Sequence, residues 1–300
     1  MTTAGMGKDP IGEQLHAGRR ILAVLEILAT QPRGVTPKDL SRALQLHLST
    51  CYRLLNTLVA SGYAVRAANG HFTLGRRVAY LNHRYEEAVR PTTEVLAFLH
   101  ALQLASGETA LLFRLEDHEV VTTAIVEGNR PGSHPGAYVG LSGPAHAFAA
   151  GRVLLAGLPA AQRDTAISRC LESPTLPWIP MVTEKALRDD LTRITRQGYA
   201  RDDGDGGAGV CCLAAPLRWA EGVPAAVAVV APCPRLLAEE SRTLPVLLEV
   251  ARAMSSLQSL PACGSASMTT HRVAQAAIEA AQADIASAIS RVTQGFGRDY

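Results

Sequence analysis

Five polar side chains share one face of a helix that the sequence predicts from Ser49 to about Gly62. They supply hydroxyl, guanidinium and amide groups, and are Ser49, Thr50, Arg53, Asn56 and Thr57. Such groups donate hydrogen bonds to phosphates and read base edges in the major groove of DNA. A polar helix face is more often only solvated, so this face by itself leaves both interpretations open. Tyr52 lies beside these residues and joins the candidate set.

The other face of this helix predicts how it is held. Its apolar residues have the spacing of a buried helical stripe, and they are Cys51, Leu54, Leu55 and Leu58. Upstream, Thr36 is a favourable N-cap and Pro37 a favourable first residue for a short helix that ends near Leu44. Only the turn 45–48 separates the two helices, which predicts a helix-turn-helix. An earlier helix over 19–29 precedes the pair.

A predicted hairpin follows the second helix directly. The runs 63–66 and 71–74 have strand character, and Asn69-Gly70 between them is a strong hairpin signal. A two-stranded wing at this place makes the module a winged helix, from which Arg66 and His71 can reach the DNA backbone or minor groove. Further basic residues can contact phosphates on either side of the helix pair, namely Arg19, Arg20 and Lys38.

The charge distribution is consistent with a polyanion-binding surface in this first part of the chain. Residues 1–90 carry 12 Lys and Arg against 6 Asp and Glu, whereas residues 91–300 carry 17 against 21. Chance variation in surface charge explains the asymmetry about equally well. A length of 300 residues predicts about two domains, and 47% apolar residues allow each to bury a core. We see no secretory signal and no membrane-spanning run, so we expect a cytoplasmic protein without a membrane partner.

A predicted helix over 76–89 connects this module to the rest of the chain. Its apolar residues lie near heptad spacing, at Val78, Leu81, Tyr85 and Ala88. This spacing is typical of a dimer seam, and an ordinary packed linker explains it equally well.

The remainder alternates between helix and strand patterns. Strands are predicted over 108–115, 120–127, 211–218 and 224–230, and helices over 92–105, 146–158, 187–197 and 239–260. Strands with helices on one side predict an α+β sheet domain.

The two modules together resemble the IclR family of bacterial transcription regulators. The resemblance covers about residues 19–260 and is carried by ILAVLEILA, VTPKDLSRALQL, LSTCYRLLNTLVASGY, GHFTLGRRV, SGETALLFRLEDHEVVTTAIVEG, PAHAFAAGRVLLAGLP, LTRITRQGYARDDGDGGAGVCCLAAPLRW and VPAAVAVVAP. Leu48 is a departure, since a basic residue is common before the Ser49-Thr50 pair. The resemblance implies a winged helix-turn-helix joined to a GAF-like effector domain. It also implies a ligand-responsive, sequence-specific regulator that is not an enzyme, needs no cofactor and binds a double-stranded DNA operator as a homodimer or dimer of dimers.

The resemblance also implies where a small-molecule effector binds. The lining carried over by position is Ala149, Ala150, Asp202, Val210, Cys212, Ala228 and Val230. Relatives that bind small carboxylates have hydroxyls at the last two positions, and Arg152 stands where Lys is usual. An apolar pocket floor with one carboxylate, Asp202, favours a larger apolar or aromatic effector. Plain core packing is the alternative for Ala228 and Val230.

The cysteines and histidines leave a second class of function open. The adjacent pair Cys211-Cys212 is compatible with a thiol-based redox sensor or an enzyme on a GAF-like domain, the winged helix then serving protein binding. With six cysteines and no secretory signal, however, we expect buried free thiols rather than disulfides. The residues His118, His134 and His146 lack metal-ligand spacing, so we expect no metal site.

Five segments follow from these patterns. They are a disordered arm over 1–18, the winged helix-turn-helix over 19–77, the connector helix over 78–91, the effector domain over 92–260, and a linker with an extra C-terminal helix over 261–300. The last helix is expected over 271–292, with an apolar stripe that includes Ile278, Ile285 and Ile289.

Overall fold

Residues 10–132, 136–172, 182–204, 209–218 and 224–256 are described by the computed structural model. The chain divides into two units, Met1–Ala88 and Val89–Tyr300. The C-terminal helix predicted over 271–292, and also His134 and Cys263, lie outside the described residues.

The first unit is a winged helix-turn-helix. Its elements are α1 (Pro10–Thr30), α2 (Pro37–Leu44), α3 (Leu48–Ala60), β1 (Ala64–Arg66), β2 (Phe72–Leu74) and α4 (Arg76–Val89). The predicted inward stripe of α3 is buried against Val24 and Leu28 of α1 and Leu40 of α2. These contacts leave the polar face of α3 turned away from the core.

The beginning of α1 differs from the prediction. From the sequence we expect residues 1–18 to form a disordered arm, whereas the helix begins at Pro10. Proline suits the first turn of a helix because its fixed φ is already helical and its missing N–H has no intrahelical partner to bond. Glu13, Gln14 and Leu15 have high helix propensity, so they extend the helix backwards from Arg19.

The turn between α2 and α3 is set by local hydrogen bonds. Thr36 Oγ1 accepts from the Asp39 N–H at 3.2 Å, and Asp39 Oδ2 accepts from the Thr36 N–H at 3.1 Å, which is a capping box. At the other end of α2, Gln45 adopts a left-handed conformation with φ 51°. Ser41 Oγ then donates to the carbonyl of Leu46 at 2.6 Å. The chain thereby re-enters helix at Leu48, one residue before the predicted start.

The wing forms where the Asn-Gly pair predicts it. Asn69 Oδ1 accepts from the His71 N–H at 3.1 Å, and Gly70 has φ 81°, which glycine adopts without steric cost. Phe72 is buried in the core of the unit and exchanges two hydrogen bonds of 2.9 Å with Val35. The segment before α2 thus adds a bridge to the two-stranded sheet.

The second unit is built on an antiparallel sheet. Its elements are α5 (Thr93–Ser106), β3 (Thr109–Glu116), β4 (Glu119–Val126), β5 (Ser142–Pro144), a 3₁₀ turn (Ala145–Ala147), α6 (Ala149–Gly157), α7 (Ala160–Glu172), α8 (Glu184–Gln197), β6 (Ala200–Asp202), β7 (Val210–Leu217), β8 (Ala225–Pro232), α9 (Cys233–Ala238) and α10 (Glu240–Ser256). The strands lie in the order β5-β4-β3-β8-β7-β6.

Helices cover both faces of this sheet, which corrects the prediction of helices on one side. On one face, α5 and α10 pack on residues such as Leu112, Leu213 and Val227. On the other face, α6 packs on Ala214 and Ala228, and α7 and α8 join the same core. Strands β7 and β8 read as continuous apolar runs because both of their faces are buried, so the sequence pattern shows no polar side.

Four elements escaped the sequence analysis: β5, α7, β6 and α9. Strands β5 and β6 have three residues each, which is too short for an alternation to show. The helix α7 has only Ala166, Ile167 and Cys170 buried along 13 residues, so its apolar stripe is narrow. The short helix α9 has only Leu236 buried, so its sequence carries no periodic pattern.

Helix α6 reaches the sheet because one side is made of small residues. A Cβ placed on Gly151 would lie 2.1 Å from the carbonyl oxygen of Ala145, whereas a Cβ on Gly157 would meet nothing within 4 Å. The missing side chain at Gly151 therefore permits the close approach of α6 to the 3₁₀ turn before it.

We predict that Gly151→Ala destabilises the second unit and Gly157→Ala does not. Forcing the extra methyl group against backbone should cost about 1–3 kcal/mol, whereas alanine in the open position should be neutral or gain about 0.5–1 kcal/mol from helix propensity. Urea unfolding followed by circular dichroism measures both variants. Equal unfolding free energies for the two would show that the close approach at Gly151 is not structurally required.

Candidate functional site

The polar face of α3 is exposed, as the sequence predicts. Ser49, Arg53, Asn56 and Thr57 are exposed, and Thr50 is half-buried. Tyr52 stays 42% exposed although it is a large aromatic residue. Within the described residues Arg53 forms no salt bridge, so its guanidinium is available to a ligand. This face therefore combines a positive charge with hydroxyl and amide donors.

The other candidate DNA-binding residues lie around the same unit. Arg19, Arg20 and Lys38 are exposed on α1 and α2. On the wing, the guanidinium of Arg66 lies 5.7 Å from the centroid of the Phe72 ring, which orients it along the hairpin. His71 is half-buried, and its Nδ1 has no hydrogen-bond partner among the described residues.

The second unit contains a cavity of about 200 Å³ between the sheet and the beginning of α6. Six of the predicted effector residues line it: Ala149, Ala150, Asp202, Val210, Cys212 and Val230. The seventh, Ala228, is fully buried in the core beneath α6 and is not part of the cavity wall. The alternative reading of Ala228 as core is thus what the structure shows.

Four further residues of the wall, two of them aromatic, are not predicted from the sequence. Leu111 and Phe113 of β3, Thr122 of β4 and Phe148 before α6 also line the cavity. Leu111 and Phe113 are two residues apart on β3, and their partners on β8, Ala228 and Ala226, are also two apart, so the two side chains share a face. The register with β4 shifts between Leu112 and Phe113. However, only the pairing of β3 with β8, in which Leu111 is opposite Ala228, brings them to this cavity.

Two kinds of polar group face the mainly apolar interior. Thr122 is 1% exposed, and its Oγ1 has no hydrogen-bond partner among the described residues. Helix α6 begins beside it, and Phe148 at its N-cap supplies no side-chain hydrogen bond. The first N–H groups of a helix lack intrahelical acceptors and favour an anion or another acceptor. Both groups can therefore bind a polar end of a ligand.

Asp202 is held in place at the opposite side of the wall. Its Oδ1 accepts from the Gly204 N–H at 3.1 Å. Arg152 of α6 donates from Nη2 to the carbonyl of the neighbouring Arg201 at 2.7 Å and lies 3.6 Å from Asp190 of α8. Arg152 therefore connects strand β6, which carries Asp202, to helix α6, whose first residues line the cavity.

Cys212 is a neutral thiol in this setting. Burial, together with the negative charge of Asp202, raises the pKa of Cys212 well above its usual range, and the charge of Arg152 only partly opposes this. A thiolate nucleophile needs a lowered pKa. The structure thus removes the support for a reactive Cys212.

The expectation of free thiols is wrong for two cysteines. Cys211 and Cys233 form a disulfide bond that links β7 to the first residue of α9. The sequence hides this pair because 22 positions separate the two residues, and only the pairing of β7 with β8 brings them together. Cys51 and Cys170 are buried free thiols, as expected.

His146 is a buried polar residue of the second unit. It lies in the 3₁₀ turn, is 6% exposed, and does not cap α6; its Nδ1 has no partner among the described residues. Burial, with the charge of Arg152 adding, lowers the pKa of His146 below its ordinary value. The residue is therefore neutral in the folded protein near pH 7.

A helix-turn-helix with an exposed donor face and a sheet domain with a ligand-sized cavity define the class of ligand-responsive transcription regulators. Family comparison agrees: the IclR helix-turn-helix domain matches residues 19–68, and the bacterial transcriptional regulator IclR C-terminal domain matches residues 88–256. The chain belongs to the IclR family. It is an IclR-type regulator with a DNA-binding helix-turn-helix domain and an effector-binding C-terminal domain.

Named relatives extend this comparison. The chain is 30% identical to the HTH-type transcriptional regulator Rv1719 of Mycobacterium tuberculosis over 76% of its length and 87% of the relative. It is 29% identical to the DNA-binding transcriptional repressor YiaJ of Escherichia coli over 79% and 86%. A solved structure of an IclR homolog from Microbacterium hydrocarbonoxydans, complexed with 4-hydroxybenzoate, matches 80% of this chain and 98% of its own, with 25% identity and a TM-score of 0.60.

These relatives are transcription regulators, so they do not support the thiol-sensor or enzyme alternative as the main function. No helix in the described ranges has the length and apolar character to cross a membrane. In the same ranges no three His, Cys, Asp or Glu side chains are grouped so that they could hold a metal ion.

We predict that His146 makes the second unit sensitive to acid. Its pKa is lower in the folded than in the unfolded chain, so its stabilising effect is complete above the unfolded pKa of about 6.5. It is lost as the pH falls below that value, because only the unfolded chain then takes up the proton. The loss is at most about 1.4 kcal/mol per pH unit.

Urea unfolding between about pH 7.5 and pH 5 tests this. His146→Gln should flatten the decrease relative to the wild type, whereas the same change at the exposed His100 should leave it intact. An unchanged slope in His146→Gln would assign the acid sensitivity to other groups.

Proposed function

We propose that α3 reads a roughly two-fold symmetric operator and that the effector cavity controls this binding. The observation that carries the DNA-binding part is the exposed donor face of α3, with Arg53 free of salt bridges within the described residues. Arg53, Asn56 and the hydroxyls of Ser49 and Thr50 are assigned to base and phosphate contacts. Arg19, Arg20, Lys38, Arg66 and His71 are assigned to the flanking phosphates and the minor groove, and Tyr52 and Thr57 to the edge of the same surface. Residues 19–77 would thus form the DNA-binding domain.

A homodimer, or a dimer of dimers, would present two such surfaces. The connector α4 supports this because it has no buried residue in the single chain, and Leu81 is 49% exposed. Leu81 and Tyr85 lie on the heptad-spaced side of the helix, where a second copy can cover them. Two half-sites separated by one or more helical turns of DNA then match the two recognition helices. Such a regulator acts on chromosomal DNA, which places it in the cytoplasm.

The effector we infer is an aromatic acid of about the size of 4-hydroxybenzoate. Phe113 and Phe148 supply ring faces, and Leu111 and Val230 supply apolar contact, so a flat ring fits the wall chemistry. A carboxylate has acceptors suited to the N-terminus of α6 and to Thr122 Oγ1, and a ring hydroxyl can donate to Asp202. The ligand of the Microbacterium homolog has this chemistry.

Effector binding can change DNA affinity only if the ligand binds one conformation of the regulator more tightly than another. Asp202 on β6 and the beginning of α6 are fastened to each other through Arg152, so a ligand that contacts both ends favours one arrangement of these elements. We assign residues 92–260 to this sensing domain and residues 78–91 to the connection with the DNA-binding domain.

We predict that Arg53→Ala weakens operator binding by about 1–3 kcal/mol. The operator is first selected from a random DNA pool with the wild type, and affinities are then measured by fluorescence anisotropy at fixed salt. The control is Arg252→Ala, which removes another exposed arginine, from α10, and should leave affinity unchanged. Equal binding by the wild type and Arg53→Ala would remove Arg53 from the reading surface.

We predict that 4-hydroxybenzoate stabilises the protein and that Phe148→Ala weakens its binding about tenfold, or about 1.4 kcal/mol. The ring of Phe148 packs on the backbone of Gly143 at the cavity wall, so its removal deletes one aromatic face. Calorimetric titration measures the affinity. The control is Tyr138→Ala, because Tyr138 is 61% exposed and not part of the wall. If glyoxylate or pyruvate binds and no aromatic acid does, the assignment of an aromatic effector is wrong.

A further inference from the structure

We propose that the Cys211–Cys233 disulfide is a redox latch on the effector cavity: the bond holds the cavity wall around Asp202 in its ligand-binding form, and reduction loosens it. The proposal rests on the proposed effector function of this cavity. It adds regulation by redox state, a role that membership of the family does not assign to any residue of this chain.

The bond lies directly beneath the segment that carries Asp202. The sulfur of Cys233 is 3.7 Å from the carbonyl oxygen of Asp203. A Cβ on Gly204 would lie 2.6 Å from the same sulfur, so the backbone of Gly204 packs on it. Asp202, Gly204 and Val210 all line the cavity. The Cys233 sulfur therefore supports the backbone that forms one side of the ligand site.

The other half of the bond fixes that sulfur to the sheet. Cys211 is fully buried in the core on the face covered by α5 and α10, while Cys212 next to it faces the cavity. Successive side chains of a strand point to opposite faces. The disulfide thus joins the beginning of β7 to the first residue of α9, whose sulfur contacts the Asp203–Gly204 backbone. Cys211 itself also borders the cavity.

Breaking the bond should act locally. Helix α9 keeps two other anchors, since Arg235 Nη2 donates to the buried carboxylate of Glu108 at 2.8 Å and Leu236 is 2% exposed in the core. The element that loses its support is therefore the Asp203–Gly204 backbone, whose hydrogen bond from Gly204 N–H to Asp202 Oδ1 orients the carboxylate.

The chemistry is ordinary thiol–disulfide exchange with a low-molecular-weight thiol. Cys233 is half-buried and Cys211 is not accessible, so the thiolate attacks the Cys233 sulfur and Cys211 leaves as a thiolate that takes up a proton. A second thiol then attacks the mixed disulfide, which yields two protein thiols and one small disulfide. In reverse, hydrogen peroxide accepts the two electrons, and the two thiols become the disulfide and two molecules of water.

The first experiment establishes the bond and its structural effect without any ligand. The full-length protein is treated with hydrogen peroxide or with dithiothreitol, and mass spectrometry of alkylated peptides reports the Cys211–Cys233 cross-link. Hydrogen exchange of the peptide over 199–204 is then compared between the two states. We expect faster exchange after reduction, and exchange in the peptide over 93–106 of α5 should stay unchanged.

The second experiment measures 4-hydroxybenzoate affinity in both states by calorimetry. Reduction should weaken binding about five- to tenfold, within the range of typical coupling between sites. Cys233→Ser should resemble the reduced state under both conditions. The control Cys170→Ala removes a buried free thiol of the same unit and should retain the full redox response.

The outcomes separate this proposal from the one it rests on. If the oxidised protein contains no Cys211–Cys233 cross-link, or if reduction changes neither hydrogen exchange nor affinity, the latch is wrong. If neither redox state binds an aromatic acid, the effector assignment fails, and the exchange of residues 199–204 still decides whether the bond holds the wall.

Discussion

The close packing of α6 on strands β7 and β8 is the constraint on which the sensing unit depends. Gly151 lets the helix approach the carbonyl of Ala145, and Ala214 and Ala228 present only methyl groups to it. Larger residues at these places would lift the helix off the sheet, because protein interiors have no spare volume. The approach brings the first residues of α6, Ala149 and Ala150, into the wall of the cavity.

The cavity then combines groups of two origins. Aromatic and aliphatic side chains come from β3, β8 and the residue before α6, and give the cavity its mainly apolar character. The polar groups of the wall include the Thr122 hydroxyl, which has no hydrogen-bond partner among the described residues, the N-terminus of α6, and Asp202. A ligand site with apolar walls and a small number of placed polar groups is the usual form of a small-molecule pocket. The hydrogen bond from Arg152 of α6 to the Arg201 carbonyl of β6 connects two of these groups, so ligand contacts at one of them can bias the other.

The DNA-binding unit has a simpler architecture. Its core consists of short helices whose inward faces pack on each other and on Phe72 of the wing. The capping box at Thr36 and the left-handed Gln45 set the angle between α2 and α3. Because the apolar stripe of α3 is buried, its polar residues face outward, and they need no contacts within the unit to do so. This is why a face made only of short hydroxyls, one amide and one arginine can be kept free for a ligand.

The sequence predicted the features that neighbouring residues determine, and did not predict those that depend on contacts between distant segments. The N-cap at Thr36, the hairpin at Asn69-Gly70, the stripe of α3 and the bounds of α4 were all predicted, because neighbouring residues decide them through hydrogen bonds and steric preference. The resemblance to the family placed six of seven candidate residues at one cavity. Tertiary structure alone decided the aromatic wall at Phe113 and Phe148, the core position of Ala228 and the Cys211–Cys233 bond. These depend on which strands pair and in which register, and strand pairing joins segments about a hundred residues apart, such as β3 and β8, without a local signal.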